Sequence, residues 1–142
     1  MFNLVGMLLV ASCKLGVAES NLKLFVSGLL QIDYILGDNP RAISYMVGYG
    51  SNYPLQVHER VSSIVSYKVN PSFMSYRGGY STWFSNKGSD PNVLDGDLVG
   101  GPDQNDNFAD ERDNYEQTEP ATYKNAPDVG VLARLHAGES LN

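Results

Sequence analysis

The sequence predicts an all-α chain in which long loops join a small number of helices. Two stretches, Ser20 to Leu36 and Asn125 to Ala137, place apolar residues at helical spacing. That spacing puts the apolar side chains on one face of a helix. Between them, Val61 to Asp97 contains repeated glycine, proline and asparagine turn signals. The expected architecture is a loop-rich middle with a helix near each end.

The first helix is predicted to begin and end at residues suited to those positions. Ser20 can act as the N-cap, because its hydroxyl accepts a hydrogen bond from a free backbone N–H. Gly37 suits the C-terminal cap, and Pro40 cannot continue a helix. The apolar stripe between these ends consists of Leu22, Phe25, Leu29, Ile32 and Leu36.

The last helix is predicted from Asn125 to Ala137. Asn125 can cap it, Pro127 fits a first turn, and Asp128 complements the helix dipole. Gly138 would end the helix, leaving residues 139–142 as a loose tail. Its apolar face would consist of Val131, Leu132 and Leu135.

One short strand is predicted in the loop-rich middle, over Ser62 to Val69 (SSIVSYKV). Turns are expected at Asn70-Pro71, at Arg77-Gly78-Gly79 and at Ser89-Asp90-Pro91-Asn92. Trp83 has two interpretations, an aromatic platform for a sugar ring or an ordinary core residue.

The first residues, MFNLVGMLLVASCK, contain an apolar run from Leu4 to Ala11 that is too short to span a bilayer. A signal peptide would place small residues after such a run, as Ala11-Ser12-Cys13 does, but no Lys or Arg precedes it. The alternatives are half of a buried helix and sequence foreign to the domain. Residues 1–19 are therefore assigned separately from a folded portion over residues 20–138.

Composition and charge exclude several classes of protein. The formal net charge is −6, so no basic surface is expected to bind nucleic acid. Cys13 is the only cysteine, which excludes an internal disulfide and a cysteine metal site. His58 and His136 lack metal-ligand spacing, and no cofactor is predicted. An acidic surface is compatible with a neutral ligand such as a polysaccharide.

The candidate site is the stretch from Phe108 to Ala126, FADERDNYEQTEPATYKNA, in which aromatic residues alternate with carboxylates. A carboxylate that is crowded by others and shielded by rings tends to retain its proton. A glycosidase needs such an acid to protonate the leaving sugar oxygen. The alternative is a solvated acidic loop. From Asp106 to Glu119, Arg112 is the one basic residue among six carboxylates, which are Asp106, Asp110, Glu111, Asp113, Glu116 and Glu119.

Three segments resemble the glycoside hydrolase family 9 endoglucanases. Asp33 to Pro40 (DYILGDNP) resembles the family's helix end, and Ser44 to Arg60 (SYMVGYGSNYPLQVHER) resembles its histidine motif. Glu59 and Val61 depart from it, since many members have histidine and glycine there. The C-terminal active-site motif, aromatic-Asp-aromatic-Glu-Asn-small, is matched by Phe108, Asp110, Tyr115, Glu119 and Asn125–Ala126.

The resemblance implies the C-terminal part of an (α/α)6 barrel with long loops carrying the active-site segments. It further implies a secreted, monomeric endo-1,4-β-glucanase (cellulase) that binds β-1,4-glucan, hydrolyses it with inversion and needs no cofactor. Glu119 would be the general acid, and Asp110 would orient it. His58 would bind sugar beside the cleaved bond. The remaining sugar-binding residues would be Arg60, Tyr115 and Asp103.

Two of these roles also have local interpretations. His58 and Arg60 are two residues apart, so an extended segment would direct both side chains to one face. Asp103 lies in a Gly-Gly-Pro-Asp turn, where an aspartate commonly caps the turn instead of binding a ligand.

The family's water-activating base comes from an Asp-x-x-Asp segment, which the resemblance does not supply here. Asp103 and Asp106 have that spacing, but they belong to the turn before the acidic stretch. We therefore expect the C-terminal third or less of such an enzyme, weakly folded and inactive by itself. The alternatives are a glucan-binding remnant and a non-functional truncated product.

Overall fold

The computed structural model describes residues 19–139, with side chains for residues 26–134 and 136–137. Its helices are α1 (Glu19–Ile35), α2 (Arg60–Ser63), α3 (Tyr76–Gly78), a π-helix (Gly79–Phe84), α4 (Tyr115–Thr118) and α5 (Thr122–Glu139). Over residues 19–139 there is no strand, which confirms the all-α prediction. The predictions for the apolar run and for residues 140–142 lie outside the described residues. Within the described part, no helix is long and apolar enough to cross a membrane.

Helix α1 ends as the sequence predicts but begins differently. Gly37 has φ +120°, a region that glycine enters without steric cost, and the Asp38 N–H donates to the Asp33 carbonyl at 2.8 Å. The helix already includes Glu19, so Ser20 lies inside it and is not its N-cap. The glycine therefore stops α1 at the point where the chain turns into the loops.

Helix α5 begins before the predicted start, with Asn125 and Pro127 both inside it. Asn125 does not cap the helix, because its side-chain oxygen accepts a hydrogen bond from the Leu98 N–H at 3.1 Å. The amide instead attaches the helix to the preceding loop. Gly138 lies within α5, so the predicted end is also wrong. Local capping preferences are overridden here by a tertiary hydrogen bond.

The strand predicted over Ser62 to Val69 is absent. Its first residues belong to α2, and the Asn92 side-chain amide donates to the carbonyls of Val61 and Ile64, each at 2.7 Å. These carbonyls are occupied by a side chain from the neighbouring loop, so they do not join a strand ladder. An apolar run without a partner strand cannot form a sheet.

The turn predicted at Arg77-Gly78-Gly79 is also wrong, because α3 leads directly into the π-helix there. Ser75 caps this helical segment, since its hydroxyl oxygen accepts from the Gly78 N–H at 3.0 Å. Gly79 serves close packing: a Cβ there would lie 2.9 Å from Ile64 Cδ1. π-Helices are rare and occur frequently at functional sites.

A small core joins the end of α1 to the loops. An isolated antiparallel bridge pairs Met46 with Leu98, and the Val47 N–H donates to the Asp97 carbonyl at 2.9 Å. This contact holds the segment that precedes His58 against the segment that precedes the acidic stretch. The buried core residues are Tyr45, Val47, Val57 and Val99, and the side chains packed against them are Tyr34, Ile35, Ile43, Tyr53 and Phe108.

Candidate active site

Glu119 lies at the C-terminal end of α4 with an exposed side chain. Its N–H donates to the Tyr115 carbonyl at 3.0 Å, and its own carbonyl accepts from Lys124 Nζ at 2.7 Å. Both backbone groups are therefore bonded, while the carboxylate lies on the solvent side. This geometry suits a group that has to meet a ligand arriving from outside.

The rings of the acidic stretch do not enclose its carboxylates in the way the sequence suggested. Phe108 packs into the core against Tyr45, with 5.3 Å between ring centroids. Tyr123 remains 73% exposed and Tyr115 55% exposed. The expectation of aromatic shielding around Glu119 is therefore wrong over the described residues.

His58 lies beside the residue that precedes Glu119. Its backbone N–H donates to the Thr118 carbonyl at 3.1 Å, and its ring Nδ1 lies 2.5 Å from the Arg112 carbonyl oxygen. Because a carbonyl oxygen can only accept, Nδ1 carries the proton in this contact. The ring is thus oriented from one side, which leaves Nε2 for another partner.

Two aromatic rings flank the imidazole of His58. Phe84, the last residue of the π-helix, meets it edge-on with 5.4 Å between centroids. Tyr115, at the start of α4, lies at 6.0 Å. Tyr80 stacks on Phe84 at 5.7 Å, so four rings form a continuous row that starts near Glu119. Such a row offers apolar faces beside the acid.

Arg60 is the first residue of α2, and Glu59, which separates it from His58, has an extended backbone with φ −145° and ψ 139°. Its guanidinium carbon lies 4.0 Å from the centroid of the Tyr76 ring, a cation–π contact. A cavity of about 460 Å³ lies next to it. The residues that line this cavity are Arg60, Val61, Ile64, Ser66 and Asn92.

The Asp110 carboxylate is attached to the segment that carries His58. Its two oxygens accept hydrogen bonds from the backbone N–H groups of Leu55, at 2.8 Å, and Gln56, at 3.0 Å. The Gln56 side-chain amide returns a bond to the Asp110 carbonyl at 3.0 Å. Asp110 therefore joins the acidic stretch to the turn before His58.

Asp103 caps a turn, which was the local interpretation of this residue. Its carboxylate accepts from the N–H groups of Asn105 and Asn107, both at 2.8 Å. These donors, that of Asn107 first, hold the pKa of Asp103 below its usual value. With its oxygens occupied in this way, Asp103 shapes the loop that leads to Phe108.

Arg112 and Asp90 form a buried ion pair that the sequence did not predict. The Arg112 Nε donates to Asp90 Oδ1 at 2.8 Å, and the two side chains are 3% and 5% exposed. In the sequence Arg112 stands among carboxylates, whereas its partner lies outside that stretch. A single basic residue among six acids was the available signal that Arg112 has a structural role.

Asp97 and Asp113 also have shifted pKa values. Burial raises the pKa of Asp97, and the nearby charge of Glu59 raises it further. Lys87, hydrogen-bonded to Asp113 at 2.7 Å, holds the pKa of that exposed carboxyl below its usual value. Across residues 19–139 no group of three His, Cys, Asp or Glu side chains is arranged to hold a metal ion.

Comparison with known sequences agrees with the resemblance to the glycoside hydrolase family 9 endoglucanases. A family model described as "Glycosyl hydrolase family 9" matches residues 4–132. Endoglucanase 19 of Arabidopsis thaliana is 74% identical over 110 residues, which cover 78% of this chain and 18% of that protein. The chain therefore spans about a fifth of the length of the curated relatives it matches.

Solved structures give the same fold. An endoglucanase from the termite Nasutitermes takasagoensis has a TM-score of 0.66 at 38% identity, covering 87% of this chain and 26% of that one. Endoglucanase CelQ from Clostridium thermocellum, complexed with cellobiose and cellotriose, has a TM-score of 0.63 at 32% identity, covering 85% and 18%. Family 9 cellulases fold as (α/α)6 barrels, and the described helices form part of such a barrel, as predicted. With the family model matching most of its length, this chain belongs to glycosyl hydrolase family 9.

Proposed function

We propose that this chain supplies the general acid and part of the sugar-binding wall of an endo-1,4-β-glucanase that cuts β-1,4-glucan with inversion. The observation that carries the proposal is the hydrogen bond from the His58 N–H to the Thr118 carbonyl, at 3.1 Å. It places the imidazole and its flanking rings beside the residue that precedes Glu119. An acid group next to apolar ring faces is suited to a sugar chain.

In this reaction the Glu119 carboxyl transfers its proton to the glycosidic oxygen as the bond to C1 breaks. Water attacks C1 from the opposite face and loses a proton to a carboxylate base. That base would come from an Asp-x-x-Asp segment elsewhere in the barrel. Asp110 positions the acid through the turn before His58, and His58, Arg60 and Tyr115 contact the sugar. CelQ, complexed with cellobiose and cellotriose, supports a β-1,4-glucan as the ligand.

The acid assignment can be tested in a chimera in which the aligned part of this chain replaces the matched segment of Endoglucanase 19. Glu119→Gln should lower hydrolysis of carboxymethyl cellulose by about 10² to 10⁴-fold, the usual contribution of a positioned proton donor. Glu116→Gln, which removes another exposed carboxylate, this one from α4, is the matched control and should change the rate less than about twofold. Full activity of the Glu119→Gln chimera would disprove the assignment.

A second candidate function is glucan binding without cleavage by the 142-residue chain. It is favoured by the ring row Tyr115, His58, Phe84 and Tyr80, whose neighbouring centroids lie 5.4 to 6.0 Å apart. Titration of the chain with cellohexaose should then show binding that Tyr80→Ala weakens and Tyr67→Ala leaves unchanged. Hydrolysis by the chain itself would rule out this second function.

We further propose that the whole enzyme is a monomer secreted to the cell wall.

A further inference from the structure

The carbonyl that orients His58 belongs to a residue whose own side chain is almost fully bonded. Arg112 is 2% exposed, and its guanidinium donates to the carbonyls of Phe84 at 2.6 Å and Gly88 at 3.0 Å. It also donates to the Asn86 carbonyl and to Asp90. An arginine has five N–H donors, and here they meet one carboxylate and a run of carbonyls. The backbone of Arg112 is consequently held in one place.

Asp90 binds the backbone of the residue that precedes His58. While Asp90 Oδ1 accepts from Arg112, Asp90 Oδ2 accepts from the Val57 N–H at 2.8 Å. Asp90 also donates through its backbone N–H to the Leu55 carbonyl at 2.7 Å. A single carboxylate therefore connects the residue before His58 with the residue whose carbonyl binds the His58 ring.

The same pair fixes a ring that touches His58. Phe84 ends the π-helix, where backbone carbonyls lack helical partners, and the Arg112 guanidinium supplies donors for them. The Phe84 ring is in edge contact with the imidazole. The buried pair thus sets the position of the imidazole through three contacts. These are the bond from Asp90 to the backbone before His58, the bond from His58 Nδ1 to the Arg112 carbonyl, and the contact with the Phe84 ring.

Burial distinguishes this pair from an ordinary surface ion pair nearby. Lys87 and Asp113 are also hydrogen-bonded, but their side chains are 68% and 60% exposed. An exposed pair contributes little, since water and salt screen both charges. A buried carboxylate whose oxygens are all used is costly to replace, because its donors would lose their partner.

We propose that the buried Arg112–Asp90 pair is a positioning pair that fixes His58 in its Nδ1–H tautomer and directs Nε2 toward the sugar. His58 then offers a lone pair at Nε2 when neutral and an N–H when protonated. The sugar contact rests on the function proposed above, whereas the tautomer does not depend on it. Neither Arg112 nor Asp90 needs to touch the substrate.

The first experiment measures the His58 tautomer by ¹⁵N NMR of the full 142-residue chain labelled at its histidines. The chain has two histidines, so the signals of His136 serve as an internal control. We expect the Nδ1–H form for His58 in the wild type and in Asp113→Asn, which removes the exposed carboxylate next to Arg112. In Asp90→Asn the Nε2–H form, favoured by histidine in water, should appear at His58 alone. A wild-type His58 in the Nε2–H form overturns the proposal without any variant.

Retention of the Nδ1–H form in a folded Asp90→Asn chain would overturn the proposal as well. If Asp90→Asn does not fold, Arg112→Lys provides the second variant, since it keeps the charge but has fewer donors for the carbonyls. We expect a mixture of tautomers in Arg112→Lys, and an unchanged Nδ1–H form would contradict the proposal.

The second experiment measures kinetics in the Endoglucanase 19 chimera. Asp90→Asn should raise KM for cello-oligosaccharides by about tenfold, the equivalent of one hydrogen bond, with a smaller change in kcat. Asp90→Glu, which restores the carboxylate, should recover part of that loss. A tautomer change without any change in KM would support the positioning pair and contradict the proposed sugar contact of His58, so the two proposals fail separately.

Discussion

Alanine at Gly100 should displace the helix that leads to the acid. A Cβ at this position would lie 2.0 Å from the Glu116 carbonyl oxygen and 3.0 Å from Gln117 Cα. Ordinary carbon–oxygen contact is about 3.5 Å, so α4 has to move by roughly 1 Å or more. Both neighbours are backbone atoms and cannot rotate away. Overpacking of this kind costs typically 1–3 kcal/mol, and we expect a value at the upper end.

The effect on catalysis follows from the same shift. Glu116 lies in α4 and Glu119 is the residue directly after that helix, and a misplacement of about 1 Å can lower a rate by about 10²-fold. Urea denaturation of the 142-residue chain measures the loss of stability, and hydrolysis by the chimera measures the rate. Gly130→Ala in α5 is the matched control, because its added Cβ meets no atom within 4 Å other than its chain neighbours and the backbone of its own helix. It should stabilise the chain by about 0.5–1 kcal/mol. Equal stability of the two variants would refute the reasoning.

Three further substitutions test other contacts. Asp110→Asn should destabilise the chain by about 1–3 kcal/mol, because one of the two backbone N–H groups of Leu55 and Gln56 loses its acceptor. Urea denaturation measures this loss, and an unchanged midpoint would contradict the prediction. The hydrogen bond to Asp106 and burial raise the pKa of Tyr34 to about 12, so its stabilising effect is complete below pH 10 and lost toward pH 12. Wild type and Tyr34→Phe should therefore differ in stability at pH 8 and converge toward pH 12. Burial raises the pKa of Asp128, whose Oδ2 has no hydrogen-bond partner, so its destabilising effect grows as pH rises. Asp128→Leu should stabilise the chain more at pH 7 than at pH 4, and a larger gain at pH 4 would contradict the sign.

Local features of the sequence predicted the two long helices, α1 and α5, and the family of the chain. Helical spacing of apolar residues identified α1 to within one residue at each end, and Gly37 identified its stop. The order of residue types from Phe108 to Ala126 identified the family, which the comparisons confirm. These properties depend on neighbours a few residues apart, and such interactions are the same wherever the segment lies in the fold.

Capping and turn predictions failed where a distant partner used the same group. Asn125 was suited to an N-cap, yet its side chain bonds the Leu98 N–H across the fold. Gly78 and Gly79 were suited to a turn, yet the close approach of Ile64 requires a small residue in a helix. In each case tertiary contact outweighed a local preference of about 1 kcal/mol.

By itself the sequence determined which residue types are available for acid chemistry and sugar contact, and that a helix lies near each end of the described chain. Only the tertiary structure decided that the Arg112 side chain pairs with Asp90, which is 22 residues away in the sequence. The same holds for the contact between the Arg112 carbonyl and the ring of His58, which is 54 residues away. The physical reason is desolvation: a charge or donor removed from water must find a partner in whatever segment packs against it. That packing is a property of the whole fold, so no local pattern predicts the partner.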